Sequence, residues 1–246
     1  MSGAVLVAEA IDKTFGAVTA AQDVSVAVPK GAVWSLIGSN GAGKTTFVNM
    51  VTGYVKPDRG HILFDGDDIT QLSPRQITRL GIRRSFQIPQ LCAELSVLEN
   101  MLVSLSINDA EPPSFWRDAR AQADVERAMD ILHRFQIADY RDRLMGELSA
   151  GVRKLLDIAM AISGAPRVML LDEPTSGVAA EEKFPIMDLV MEVLSAADVT
   201  ILFVEHDMDI VTRYSQRVLA FYDGQIIAND APDEVLSDEA VQRYVT

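Results

Sequence analysis

The amino-acid sequence predicts an α/β fold, with a mostly helical lobe inserted into a core built on a mixed sheet. Three observations predict it. An apolar run at 33–37 stops at Gly38 and a helix signal follows at once, the strand-then-helix order of a parallel sheet. Residues 88–165 then carry helical periodicity and few β signals. After Pro166 the short apolar runs return, at 168–171 and 199–204, with a helix at 181–196 between them.

Taken in order, 5–11 and 24–28 read as strands, and Pro29-Lys30-Gly31 turns the chain. The helix opening at Gly43 should run to about Thr52, with Gly53 just past its end. Residues 61–64 form a strand that turns at Asp65-Gly66. Ser73 is an N-cap, Pro74 takes the first helical position, and that helix stops near Gly81. In the lobe, 95–106, 117–135 and 151–162 are helical, and 108–113 is a polar, proline-containing break. Pro185 should sit near the first turn of the 181–196 helix. Residues 218–222 and 225–228 flank Asp223-Gly224, a hairpin signal, and two short helices close the chain, the first opening at Pro232. The core is therefore expected to comprise 1–87 and 166–246, and the lobe 88–165.

The composition narrows function. With 48% hydrophobic and 23% charged residues over 246 positions, the chain can bury a substantial core. A formal net charge of −13 weighs against nucleic acid as a partner and against a polybasic grip on anionic lipid. Cys92 is the one cysteine, so neither an intrachain disulfide nor zinc spacing exists, and a reducing cytosol is the simplest compartment. Cys92 itself reads as a packing residue. The first ten residues lack the basic-then-apolar order of a signal peptide. No apolar stretch reaches about 18 residues, so work at a membrane requires another chain to hold this one there.

Gly38-Ser39-Asn40-Gly41-Ala42-Gly43-Lys44-Thr45 fits the phosphate-loop pattern G-x-x-x-x-G-K-[ST] in full. Glycines let the backbone curl so that successive N–H groups face phosphate oxygens, and the helix that begins here aims its positive end at the same anion. Lys44 supplies a charge for the β- and γ-phosphates of ATP. Thr45 offers a hydroxyl to Mg2+, and Thr46 beside it joins the candidate nucleotide contacts. Leu170-Leu171-Asp172-Glu173-Pro174 ends an apolar strand in two carboxylates. Asp172 is suited to holding Mg2+ through its water shell, and Glu173 to polarising an attacking water.

These pieces together resemble the nucleotide-binding subunit of ATP-binding cassette transporters, over about 5–245. The resemblance implies a P-loop NTPase core whose sheet has a parallel centre and an antiparallel portion. It implies that Phe15 stacks on adenine, and that Gln87 in Arg84-Ser85-Phe86-Gln87 reaches Mg2+ and the γ-phosphate at the hinge to the lobe. In Glu205-His206-Asp207 it makes His206 the switch histidine at the γ-phosphate; His61 and His133, without partners in the pattern, read as structural. Leu148-Ser149-Ala150-Gly151-Val152 matches the family signature Leu-Ser-Gly-Gly-Gln in part. The family works as a sandwich of two cassettes, so Ser149 and the amide of Gly151 are expected to touch the nucleotide of a second subunit.

Ala150 and Val152 depart from that signature, and Thr175-Ser176-Gly177-Val178-Ala179 ends in Ala where the family has an interface Asp. The chain's own phosphate site is thus complete while what it offers a partner is altered, which fits a heterodimer of unequal cassettes or a half that binds ATP and rarely hydrolyses it. Phe15-Gly16-Ala17-Val18, the stretch 95–100 and Glu205-His206-Asp207-Met208 are most similar to ATPases of branched-chain amino acid and urea importers. That likeness implies integral membrane permease subunits, a periplasmic solute-binding protein and a place on the inner face of the cell membrane. The same fold also drives exporters, lipopolysaccharide extraction and soluble DNA-repair or translation factors; the acidic balance weighs against the last.

Overall fold

A computed structural model describes residues 3–86, 91–108 and 122–245. Two long strands, β1 (Ala4–Phe15) and β2 (Val18–Pro29), form a hairpin. β3 (Val33–Gly38) feeds α1 (Lys44–Val51), and β4 (Arg59–Phe64) with the two-residue β5 (Asp67–Asp68) returns to the hairpin. These make an antiparallel sheet in the order β2-β1-β4-β5. α2 (Pro74–Leu80) leads to β6 (Ile82–Ser85). Three helices follow, α3 (Val97–Asn108), α4 (Gln122–Arg134) and α5 (Ala150–Ile162), with 3-10 turns at Ala138–Tyr140 and Met145–Glu147. Then come β7 (Val168–Asp172), α6 (Ala180–Ala196), β8 (Thr200–Val204), α7 (Met208–Tyr214) and β9 (Arg217–Tyr222). β10 (Gln225–Asp230), α8 (Pro232–Ser237) and α9 (Glu239–Tyr244) end the chain.

The second sheet runs β10-β9-β3-β8-β7-β6, parallel except for its antiparallel edge β10. β7 and β8 are buried at every position because both faces are covered, the reason they read as unbroken apolar runs. Alternation divides them between two cores. Val168, Leu170, Leu202 and Val204 pack with Phe47 and Val51 of α1 and with the antiparallel sheet. Met169, Leu171, Ile201 and Phe203 pack with α5 and α6, and that core continues into Met101 of α3 and Leu132 of α4.

Several expectations shift. β6 and α7 are not legible in the sequence, and β1 and β2 extend further than their apolar centres. Pro185 is the sixth residue of α6, in its second turn, where it removes an N–H that would bond the Glu181 carbonyl. Cys92 is exposed and so is not a packing residue; its backbone is what is held, the N–H donating to Asn100 Oδ1 (2.9 Å) and the carbonyl accepting from Asn100 Nδ2 (3.2 Å). His61 has a partner after all, its Nδ1 lying 2.8 Å from Asp68 Oδ2 across the β4–β5 turn. The helix expected at 117–135 is described from Gln122; Gln87 and the break from 109 to 113 lie outside the described residues. Among the described residues no helix is long and apolar enough to cross a membrane.

Candidate active site

Parallel strands point their carboxyl ends one way, and ligands of open α/β sheets bind beyond those ends. β3, β8 and β7 are adjacent in the sheet, and their ends lead to Gly38, Glu205 and Glu173. Three loops with the chemistry of the sequence motifs therefore meet at one edge.

The first loop is pinned from within and from the side. Ala42 N–H donates to the Ser39 carbonyl (3.1 Å), and Gly224 N–H, from the β9–β10 turn, donates to the Ala42 carbonyl (3.1 Å). Gly43 has φ of 106°, and a Cβ there would stand 2.5 Å from the Ala20 carbonyl oxygen, so a side chain at this position collides with β2. Ser39, Asn40, Gly41 and Thr45 form an exposed rim, Thr46 is half-buried, and Gly38, Ala42, Gly43 and Lys44 lie beneath. Lys44 Nζ donates to the carbonyls of Gly38 (2.5 Å) and Ser39 (3.1 Å). Burial lowers its pKa, while the charges of Glu173 and Asp172 act the other way. The lysine is thus within electrostatic reach of both carboxylates.

Asp172 ends β7, and its Oδ2 accepts from Arg84 Nη2 at 2.5 Å. Arg84 Nη1 donates to Asn49 Oδ1 of α1 (2.6 Å), so the guanidinium ties the acidic strand end to the helix that begins at Lys44. Glu173 sits in the left-handed region at φ 46°, a placement that costs about 1–3 kcal/mol and persists only where the surroundings impose it. Its N–H donates to the Val204 carbonyl (2.9 Å), and its Oε1 lies 3.3 Å from His206 Nε2. Glu205 is buried and accepts from the Thr175 N–H (3.0 Å), the Thr175 hydroxyl (2.6 Å) and the His206 N–H (3.1 Å), locking the β7 and β8 loops together. Asp207 caps α7 and pairs with Lys183 at 2.7 Å; that hydrogen bond holds the Asp207 pKa down and the Lys183 pKa up.

The donor set suits Mg2+. Among the described residues no three His, Cys, Asp or Glu side chains cluster as a metal cage. A Thr45 hydroxyl and an Asp172 carboxylate are hard oxygen donors of the kind that hold Mg2+ together with substrate phosphates and water.

Phe15, at the end of β1, is 50% exposed, so a flat aromatic face is accessible to a base. Ser149 and Gly151 do not join this group: they line a different cleft, with Gln136, Pro185 and Ile186. Ser149 is the N-cap of α5, its Oγ accepting from the Val152 N–H (3.3 Å). Gly151 is buried, and a Cβ there would stand 2.7 Å from Ile186 Cδ1, so a side chain at this position would have to displace the end of Ile186 on α6.

Ala179 is the N-cap of α6 with extended backbone (φ −60°, ψ 145°) and no side chain to bond the helix's first amides. Ala179→Asp should stabilise the fold by about 1 kcal/mol. The check is a raised midpoint in equilibrium denaturation.

Three residues of the site escape sequence reasoning: Arg84, Glu205 as a brace, and Lys154. The last carries a signal, since position 154 falls on the buried stripe of α5 with Leu155 and Ile158, where a lysine is out of place.

A phosphate loop, an acidic pair and a histidine on adjoining strand ends define a nucleotide-hydrolysing cassette. The chain belongs to the ABC transporter family, whose model matches residues 21–176. It is 39% identical, over 98% of its length and 97% of the other, to the probable branched-chain amino acid transport ATP-binding protein LivG of Methanocaldococcus jannaschii. The high-affinity branched-chain amino acid transport ATP-binding protein BraF of Pseudomonas aeruginosa is 32% identical over 100% of this chain and 99% of its own. Among solved structures, the ADP conformation of an ATP-binding cassette of an ABC transporter superposes with a TM-score of 0.87 at 37% identity, covering 98% of this chain and 97% of that one. The protein is an ATP-binding and ATP-hydrolysing cassette.

Proposed function

We propose that this cassette powers import of a branched-chain amino acid, urea or a related small polar solute. It does so from the inner face of the cell membrane, paired with a second cassette and docked on integral membrane permease subunits. The observation that carries the reading is the full-length likeness to transport ATPases of that class. Residues 1–87 and 166–246 act as the core and 88–165 as the lobe, a division in keeping with the run of helices α3, α4 and α5 between β6 and β7. A solute-binding protein outside the membrane supplies the cargo.

In the reaction, Lys44 and the amides of the loop hold the β- and γ-phosphates. Thr45, Gln87 and Asp172 hold Mg2+, which neutralises phosphate charge when bound. Glu173 takes the proton of the attacking water, and His206, fixed by Glu205 beneath it, donates to the transferring group. Phe15 stacks on adenine. Ser149 and the Gly151 amide meet the nucleotide of the second cassette, consistent with their lying in a separate cleft.

Around Phe86, Tyr54 is 58% and Ile107 75% exposed, an apolar face suited to a short permease helix. Purification from a detergent extract tests the assembly. Integral membrane proteins and a second cassette should accompany this chain. Soluble partners alone, or a salt-sensitive association with nucleic acid, would overturn the reading.

A further inference from the structure

Lys154 is a buried cation that nothing in the nucleotide chemistry uses. It lies in α5, three residues after Gly151, and is 2% exposed. Its Nζ donates to two backbone carbonyls, Phe86 at 2.8 Å and Asp172 at 3.2 Å. Phe86 follows β6 and Asp172 ends β7, the neighbouring parallel strand. One side chain thus ties the helix that carries Ser149 and Gly151 to two strand ends. A methionine or leucine would fill the same space without desolvating a charge, so the lysine is accounted for by what its donors hold.

What they hold is specific. The Asp172 carbonyl belongs to the peptide unit that enters Glu173, the residue at φ 46°. The other side of that unit, the Glu173 N–H, is bonded to the Val204 carbonyl. Lys154 from α5 and Val204 from β8 therefore grip opposite edges of one peptide plane, and that plane sets where the Glu173 carboxylate stands. A sparsely populated backbone conformation requires this kind of double restraint.

We propose that Lys154 is a positioning residue for ATP hydrolysis: through the Asp172–Glu173 peptide it keeps Glu173 aimed at the attacking water, and it makes α5 part of the same rigid unit. The proposal rests on Glu173 being the proton acceptor, which Glu173→Gln reports on by itself.

The test compares Lys154→Met with Lys154→Arg in the assembly that hydrolyses ATP. In Lys154→Met, kcat should fall by about tenfold to a hundredfold, the penalty for a misplaced catalytic group. The dissociation constant for ATP should stay within about threefold, because the phosphate loop is untouched. Lys154→Arg keeps charge and donors and should recover most of the rate. In a Glu173→Gln background Lys154→Met should add little, because the two residues act as one unit. If Lys154→Met does not fold, Lys154→Gln, neutral and shorter, is read against the same split. The proposal is overturned by a kcat within about twofold of the parent, by binding lost in step with rate, or by Lys154→Arg behaving like Lys154→Met.

Discussion

Glu173→Gln should leave ATP bound and nearly abolish its turnover. The carboxamide has the size of the carboxylate and can keep the contact with His206, which stands 3.3 Å away. It cannot accept a proton from water. Loss of a general base costs about a hundredfold to ten-thousandfold in rate. The backbone around position 173 is fixed by Val204 and Lys154 and not by its own side chain, so the loop should hold its shape. Phosphate release measured beside equilibrium nucleotide binding checks this: kcat collapses while affinity holds or rises. A variant that hydrolyses ATP at close to the parental rate would remove Glu173 from its assigned role and shift attention to His206.

Much of the fold and of the site is legible in the amino-acid sequence, for physical reasons that can be named. The phosphate loop and the acidic pair are local: their function is written in consecutive residues, and their strands are buried on both faces and so announce themselves as apolar runs. β6 is illegible because Arg83 and Arg84 interrupt it. Those charges find their hydrogen-bond partners far away in sequence, Asn108 for Arg83 and Asn49 with Asp172 for Arg84. α7 spans seven residues, too few for periodicity, and its one sign is Asp207 as N-cap. The same distinction separates the site. Motifs name Lys44, Asp172, Glu173 and His206, whereas Glu205, Arg84 and Lys154 act by bridging loops that only the sheet order brings together. Cys92 and His61 mislead for the mirror-image reason: each looks isolated in sequence, yet the fold gives one exposure and the other a cross-strand carboxylate.

Lys44→Ala should separate binding from folding. In the parent the ammonium sits in the loop, donating to the Gly38 and Ser39 carbonyls, and burial weakens its hold on the proton. Glu173 and Asp172 act on it from a distance, and a bound phosphate is expected to supply the direct counter-charge. Charge-assisted hydrogen bonds of this kind contribute about 1.5–3 kcal/mol, so the variant should bind ATP roughly tenfold to a hundredfold more weakly. Alanine buries no charge but leaves the Gly38 and Ser39 carbonyls without their donor, two effects of opposite sign, so the melting point of the nucleotide-free fold should change little. Ligand linkage makes the contrast measurable. At an ATP concentration of about a hundred times the parental dissociation constant, the parent gains about 2.7 kcal/mol, whereas a hundredfold weaker binder gains only about 0.4 kcal/mol. A tenfold weaker binder would still gain about 1.4 kcal/mol, so the gap between thermal midpoints with and without MgATP should shrink in the variant to about half of the parent's or less. Lys44→Arg should not restore the gap, because a planar guanidinium cannot take the place of a compact ammonium between two loop carbonyls. Equal MgATP stabilisation of Lys44→Ala and the parent would mean that the loop amides alone bind the phosphates, and the assignment of Lys44 would fall.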